Sequence, residues 1–286
     1  MEYFKLYNGV KIPANGFGVY QISKEDCKES VLAAIKAGYR HIDTAQSYFN
    51  EEQVGDAISE CGLKREELFI TTKVWIDYYG EKTTYASVIE SLRKLKLDYV
   101  DLILLHQPLN DYYGAWRDLE RLYKEGKVRA IGVSNFYPDR LVDLCMFAKI
   151  KPMVNQIEIN VFHQRIEDKE WADKYDVVLE AWAPFAEGRN NMFHNETLMQ
   201  IANKHHKTVA QVILRWLYQR NIVSLAKSTH ENRIKENFDI YSFELDKEDM
   251  DLIKSMDEST SSFFDHRDPK MVEWFGELIK ERRNMK

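Results

Sequence analysis

The segment HIDTAQSYFNEE, from His41 to Glu52, places Asp43 and Tyr48 just beyond a short apolar run. An aspartate there can cap the helix that follows, and a tyrosine can simply pack. Lys73 stands near the end of LFITTKVW and His106 at the end of YVDLILLH, so four side chains able to hold or move a proton sit where strand-like runs stop. Together they suit carbonyl reduction. A phenol of ordinary pKa about 10 is a poor acid at neutral pH unless a cation stabilises its phenolate, and Lys73 can supply that charge. Asp43 can pair with the lysine and keep its ammonium ionised. His106 can orient a carbonyl oxygen by a hydrogen bond, and Tyr48 can protonate that oxygen as hydride reaches the carbon.

Other chemistries find little support. No histidine pair has metal-ligand spacing, so no metal site is expected, and there is no GxSxG elbow or phosphate-binding Walker loop. GFG at 16–18 is not a GxGxxG fingerprint and opens no helix, which disfavours a doubly wound dinucleotide fold. A net charge of −6 argues against a nucleic-acid partner. Cys27, Cys61 and Cys145 are far apart and odd in number, which reads as packing residues in a reducing compartment. The N-terminus MEYFKLYNGVKIP has no basic-then-apolar leader, and no run reaches the ~18 apolar residues of a membrane span. These features describe a cytoplasmic protein acting on small molecules, with no nucleic-acid or membrane partner.

The elements that must position these groups follow one pattern. Apolar runs at 16–20, 40–43, 68–75, 99–106, 128–135, 154–159, 177–182 and 221–228 alternate with amphipathic stretches such as KEDCKESVLAAIKAGY, TTYASVIESLRKLKL and AWRDLERLYKEGK. Repeated βα units of this number suit a closed (β/α)₈ TIM barrel, whose active site lies at the C-terminal ends of its strands. FKLYNGVKIP reads as a β-hairpin plugging the N-terminal end, and DKEDMDLIKSM as a C-terminal helix before an aromatic tail. No Pro/Gly/Ser-rich spacer or low-complexity run interrupts the chain, so residues 1–286 are expected to form one domain.

The motifs HIDTAQSY, TTKVW, LLHQP, IGVSNF, NQIE and AKSTHENRIKEN, in that order, make the chain resemble the aldo-keto reductases along nearly its whole length. AWAPFAEGRN looks most like the bacterial 2,5-diketo-gluconate reductase and prostaglandin F synthase-like branch. The resemblance implies a (β/α)₈ reductase using NADPH, with Asp43, Tyr48, Lys73 and His106 matching the catalytic tetrad and a monomer as the expected state. It also implies that Ser134, Asn135 and Gln156 hold the nicotinamide carboxamide and that Trp182 stacks on the ring. Lys227, Ser228 and Arg233 match the residues that hold the adenosine 2′-phosphate, and Glu236 and Asn237 those that face adenine. A guanidinium and an ammonium suit a dianionic phosphate. Ala226 stands where the family usually has proline, which bears on the rigidity of that loop.

Gly18, Val19 and Tyr20, at the end of the first strand-like run, are further expected to face the cofactor. Tyr20 and Trp75 match substrate-pocket positions, or serve as packing at the barrel mouth. Phe185, Glu187 and Arg189 form either a loop over the cofactor pyrophosphate or a solvated turn. Phe263, Phe264 and His266 are candidates to close the pocket, while His205 and His206 read as surface residues. Two other functions compete with the reductase. One is an NADPH-binding, redox-sensing regulatory protein on the same barrel; the other is a lyase or isomerase using Lys73 as a Schiff base, which leaves Trp182, Lys227 and Arg233 unexplained.

Overall fold

The computed structural model describes residues 1–284. The chain opens with β1 (Tyr3–Lys5) and β2 (Lys11–Pro13), an antiparallel hairpin turning at Asn8 and Gly9. Gly9 has φ of 90°, a left-handed conformation that glycine adopts without steric cost. The hairpin buries Leu6 and Ile12 completely. It is tied to the start of later strands by Asn8 Nδ2 donating to the Arg129 carbonyl at 3.0 Å and by the Tyr7 hydroxyl donating to that of Lys151 at 2.6 Å. It therefore closes the N-terminal end of the barrel.

The barrel strands are β3 (Asn15–Gly18), β4 (His41–Asp43), β5 (Phe69–Val74), β6 (Val100–Leu105), β7 (Val128–Ser134), β8 (Val154–Glu158), β9 (Val178–Trp182) and β10 (Val223–Ala226). All pair in parallel and close in the order β10-β3-β4-β5-β6-β7-β8-β9. β5 and β6 are buried at every residue, as expected of parallel strands packed on both faces. The glycine in the first strand has a packing reason: a Cβ on Gly16 would come within 2.7 Å of the His41 ring and of Leu225.

The helices between and after the strands are α1 (Lys24–Ala37), α2 (Glu51–Glu60), α3 (Thr83–Leu95), α4 (Tyr112–Lys124), α5 (Pro138–Phe147), α6 (Ile166–Lys174), α7 (Glu196–His205), α8 (Val209–Gln219), α9 (Glu231–Phe238), α10 (Lys247–Lys254) and α11 (Pro269–Asn284). α1 shows how local sequence sets their limits. Ser23 Oγ accepts from Asp26 N at 3.1 Å at its start, and Gly38, with φ of 114°, ends it.

The aromatic tail is more ordered than its sequence suggests. After α10 it crosses the barrel mouth and forms α11, whose start is set by Pro269 in the first turn and by Asp268 Oδ1 accepting from Lys270 N at 3.0 Å. Phe275, Leu278 and Ile279 form its barrel-facing stripe.

Candidate active site

Three neighbouring strands deliver the four expected proton-handling groups to one place. Asp43 ends β4, Lys73 is the penultimate residue of β5, His106 follows β6, and Tyr48 lies in the short helical turn after β4. Lys73 Nζ donates to Asp43 Oδ1 at 2.5 Å and to the Thr44 carbonyl at 3.0 Å, and lies 3.2 Å from the Tyr48 hydroxyl. The register explains this reach: Asp43 pairs with Thr71, so Lys73 stands two residues beyond it toward the mouth. The rings of Tyr48 and His106 meet edge to face, 5.7 Å apart. The Asp43 carboxylate thus meets Lys73 and Gln156, and the Tyr48 ring packs between Tyr20 and His106.

The electrostatics follow from burial. Burial pushes the Tyr48 phenol up to about 12, against the pull of the Lys73 charge, so the hydroxyl keeps its proton at neutral pH. For Lys73, burial disfavours the charge, but the Asp43 carboxylate and Tyr48 oxygen more than offset it and hold the ammonium above its ordinary range. Burial raises the Asp43 carboxyl, and the charge and hydrogen bond of Lys73 pull it back, helped by Gln156. His106 lies well below its usual pKa because it is buried and faces the charge of Lys73. Its Nδ1 is 3.3 Å from Ser47 Oγ; if the serine donates there, the imidazole proton sits on Nε2 and can be offered to a carbonyl oxygen.

The expected cofactor residues line the same mouth. Gly18 ends β3 with open space beside it, and Val19 is buried, its amide donating to the Asp43 carbonyl at 3.1 Å. Tyr20 is 53% exposed and its ring lies 4.9 Å from that of Tyr48. Trp75 is buried, edge-on to His106 at 5.1 Å, so both substrate-pocket candidates sit beside the tetrad. Ser134 Oγ donates to the Gln156 carbonyl at 2.8 Å. Asn135 acts as a brace: it adopts φ of 65°, its Nδ2 donates to the His106 carbonyl at 3.1 Å, and its Oδ1 accepts from Trp182 Nε1 at 2.9 Å. The indole platform is thereby fixed to the strand end that carries the histidine.

Beyond the end of β10, Lys227 and Arg233 are exposed, and among the described residues neither is paired with a carboxylate. Ser228 Oγ accepts from His230 N at 3.0 Å. Glu236 accepts from Thr208 Oγ1 at 2.8 Å, and Asn237 is buried, its carbonyl accepting from Asn15 at 2.9 Å. Phe185 packs against Phe193 at 5.6 Å, and Gln21 Nε2 donates to Glu187 Oε1 at 3.3 Å. The tail joins this wall: Arg189 donates to the Ser262 carbonyl at 2.5 Å, and Phe263 lies 5.3 Å from Trp182. His205 is partly buried and bonded to Asp249 at 2.7 Å, away from the mouth.

Sequence reasoning missed one group. Glu180, in the middle of β9, is fully buried and accepts from Gln156 Nε2 at 2.7 Å, while the same amide donates to Asp43 Oδ2 at 3.0 Å. Both Gln156 protons are committed to carboxyl groups, which fixes which way its amide faces. A charge inside the apolar run VVLEAW, at the alternation that points into the barrel, is the signal that could have found it.

The chain matches the family model described as Aldo/keto reductase family over residues 14–258. It is 52% identical to glyoxal reductase of Bacillus subtilis, an alignment covering 88% of this chain and 91% of that protein. Among solved structures, an aldo-keto reductase from a Medee basin deep-sea metagenome superposes with a TM-score of 0.91 at 42% identity, covering 93% of this chain and 99% of the other. A Bombyx mori aldo-keto reductase solved in complex with NADP superposes with a TM-score of 0.88 at 33% identity, covering 92% of this chain and 95% of the other. With the barrel and its strand-end lysine, aspartate, tyrosine and histidine in view, the chain belongs to the aldo/keto reductase family.

Proposed function

We propose that this enzyme, an NADP-dependent oxidoreductase, reduces aldehydes or ketones to alcohols with Tyr48 as the proton donor, assisted by Lys73, Asp43 and His106. The observation that carries the reading is the buried contact of Lys73 Nζ with both Asp43 and the Tyr48 hydroxyl. A neutral phenol beside a fixed ammonium is poised to give its proton only when negative charge develops on a nearby oxygen.

The residues at the C-terminal rim fit NADPH by their own chemistry. Open space beside Gly18, a braced Trp182 ring and the uncommitted cations Lys227 and Arg233 provide for a sugar-phosphate chain, an aromatic ring and a terminal phosphate. When bound, NADPH supplies the hydride that adds to the carbonyl carbon. His106 orients the carbonyl oxygen, Tyr48 transfers its proton to that oxygen, and Lys73 stabilises the phenolate left behind until solvent restores the proton. In this reading Ser134, Asn135 and Gln156 surround the carboxamide, Ser228, Glu236 and Asn237 frame the adenosine, and Val19, Tyr20 and Phe185 flank the cofactor. We further read residues 1–286 as one domain, acting as a cytoplasmic monomer of the 2,5-diketo-gluconate reductase-like branch. Support comes from the net charge of −6, the three free cysteines and the AWAPFAEGRN motif.

The test is reduction of a carbonyl panel followed by loss of NADPH absorbance, for wild type and Tyr48→Phe. The variant should bind NADPH normally and lose on the order of 10² to 10⁴ in rate, the contribution of general acid catalysis. A folded, NADPH-binding variant that turns over within a few fold of wild type would remove Tyr48 from the mechanism.

A further inference from the structure

α11 lies beyond residues 14–258, the span matched by the family model. Phe275, Leu278 and Ile279 face the barrel, and one turn further along the same face stands Arg282. An amphipathic pattern would place an apolar residue there. Instead a guanidinium lies over the Trp75 ring, 4.9 Å from Cζ to centroid, and over the Phe49 ring at 5.2 Å. Phe49 follows Tyr48 in the chain, and Trp75 is 5.1 Å from His106, so one ring separates this cation from the proton-handling groups. The charge is felt there, being one of those that depress the His106 pKa, after burial, Lys73 and His266.

Among the described residues, two donors at this place have no acceptor. Among the described residues no carboxylate pairs with Arg282, and the indole Nε1 of Trp75, a residue only 6% exposed, has no hydrogen-bond partner. A planar guanidinium held between aromatic rings, beside an idle N–H, complements a carboxylate. One guanidinium matches a monoanion better than a phosphate dianion, which asks for more donors.

We propose that Arg282, with Trp75, binds a carboxylate on the substrate, so that the preferred substrates are small carbonyl compounds carrying a carboxylate a few bonds from the carbonyl carbon. The proposal rests on the reading of Tyr48 and His106 as the carbonyl-binding end. Its test uses the full chain with NADPH and compares 4-oxobutanoate with butanal, which has the same carbon count without the carboxylate. The wild type should favour 4-oxobutanoate. Arg282→Gln should lower kcat/KM for it by roughly 10-fold to 100-fold, mainly through KM, and leave butanal within about 2-fold. Arg282→Lys should retain part of the preference, and added salt should weaken it in the wild type. Equal losses on both substrates would mean that Arg282 only anchors α11, and no loss on either, or a wild-type preference for butanal, would also overturn the proposal.

A second measurement needs no turnover: succinate binding to the NADP⁺ complex, read by calorimetry. Arginine-dependent binding supports the anion site, and binding unchanged in Arg282→Gln overturns it. If the wild type reduced neither carbonyl while succinate still bound through Arg282, the reductase reading would fall and the anion site would stand.

Discussion

Two buried aspartates sit at opposite ends of the barrel, each held by cations, and they differ in what those cations can do. Asp101, at the start of β6, accepts from Arg65 at 2.6 Å, Arg129 at 2.8 Å and the Ile70 amide at 2.9 Å. None of these donors releases a proton near neutral pH. Asp43, at the end of β4, is bonded to a lysine that in turn touches a phenol, 2.5 and 3.2 Å away. On the reading proposed above, the same ion-pair logic serves architecture at the N-terminal face and proton transfer at the C-terminal face, as expected of barrels of this class.

The largest effects should come from exchanging these roles. Lys73→Met should leave the phenol without its cation and raise the Tyr48 pKa, costing a rate factor of about 10² to 10⁴ while NADPH still binds. Asp43→Asn should do the same more weakly, and the two losses should not add, because the groups act as one unit. Asp101→Asn should behave oppositely. It should cost about 2 to 3 kcal/mol of stability in urea unfolding, somewhat less than a fully enclosed pair because Arg129 is partly exposed, with kcat unchanged in the folded protein. Loss of turnover from Asp101→Asn without loss of stability would break the contrast.

A smaller effect belongs to the exposed cations beyond β10. Arg233→Ala should reduce the preference for NADPH over NADH by roughly 10-fold to 100-fold, the value of one charge-assisted contact, measured by fluorescence titration of both cofactors. Trp182→Ala should weaken both cofactors together. Equal wild-type affinity for NADPH and NADH would take the 2′-phosphate away from Lys227 and Arg233.

Not all of this was equally legible in the chain. The tetrad is readable because its residues terminate apolar runs, and a parallel barrel brings all such ends to one rim. Cofactor candidates such as Trp182 and Arg233 are readable only through motif resemblance, since nothing in their spacing states what they face. Asn135 shows the limit: its motif marks it for the cofactor, but not that its amide ties Trp182 to the His106 backbone, a relation set by the registers of β6 through β9. α11 and Arg282 were hidden because a helix assembled from MVEWFGELIKERR is charged on most sides, and its thin apolar stripe means little until the barrel mouth is there to receive it.

The smallest predicted effect sharpens the opening contrast by counting charges. At the N-terminal face two guanidiniums meet one carboxylate, whereas at the C-terminal face one ammonium meets two carboxyl groups, Asp43 and Glu180, joined through Gln156. The single ammonium balances only one of the two negative charges. Burial, with the charge of Asp43, pushes Glu180 up to about 8 from 4.5, so between those values the folded protein keeps a proton that the unfolded chain has lost. Stability from this group is full below 4.5 and declines as pH rises through 8. His41, pushed down by burial to about 3 from 6.5, contributes the opposite slope, but only below 6.5. Above that pH the Glu180 slope is free of it. Glu180→Gln removes the titrating group while keeping its shape, so the variant should gain on the wild type by up to ~1.4 kcal/mol per pH unit between about 6.5 and 8, then level off. Urea unfolding of both proteins at half-unit steps of pH measures the difference. A difference that stayed flat across that range would mean Glu180 is already ionised in the fold, with Lys73 shared between two carboxylates, and the proton economy that separates the two ends of the barrel would have to be redrawn.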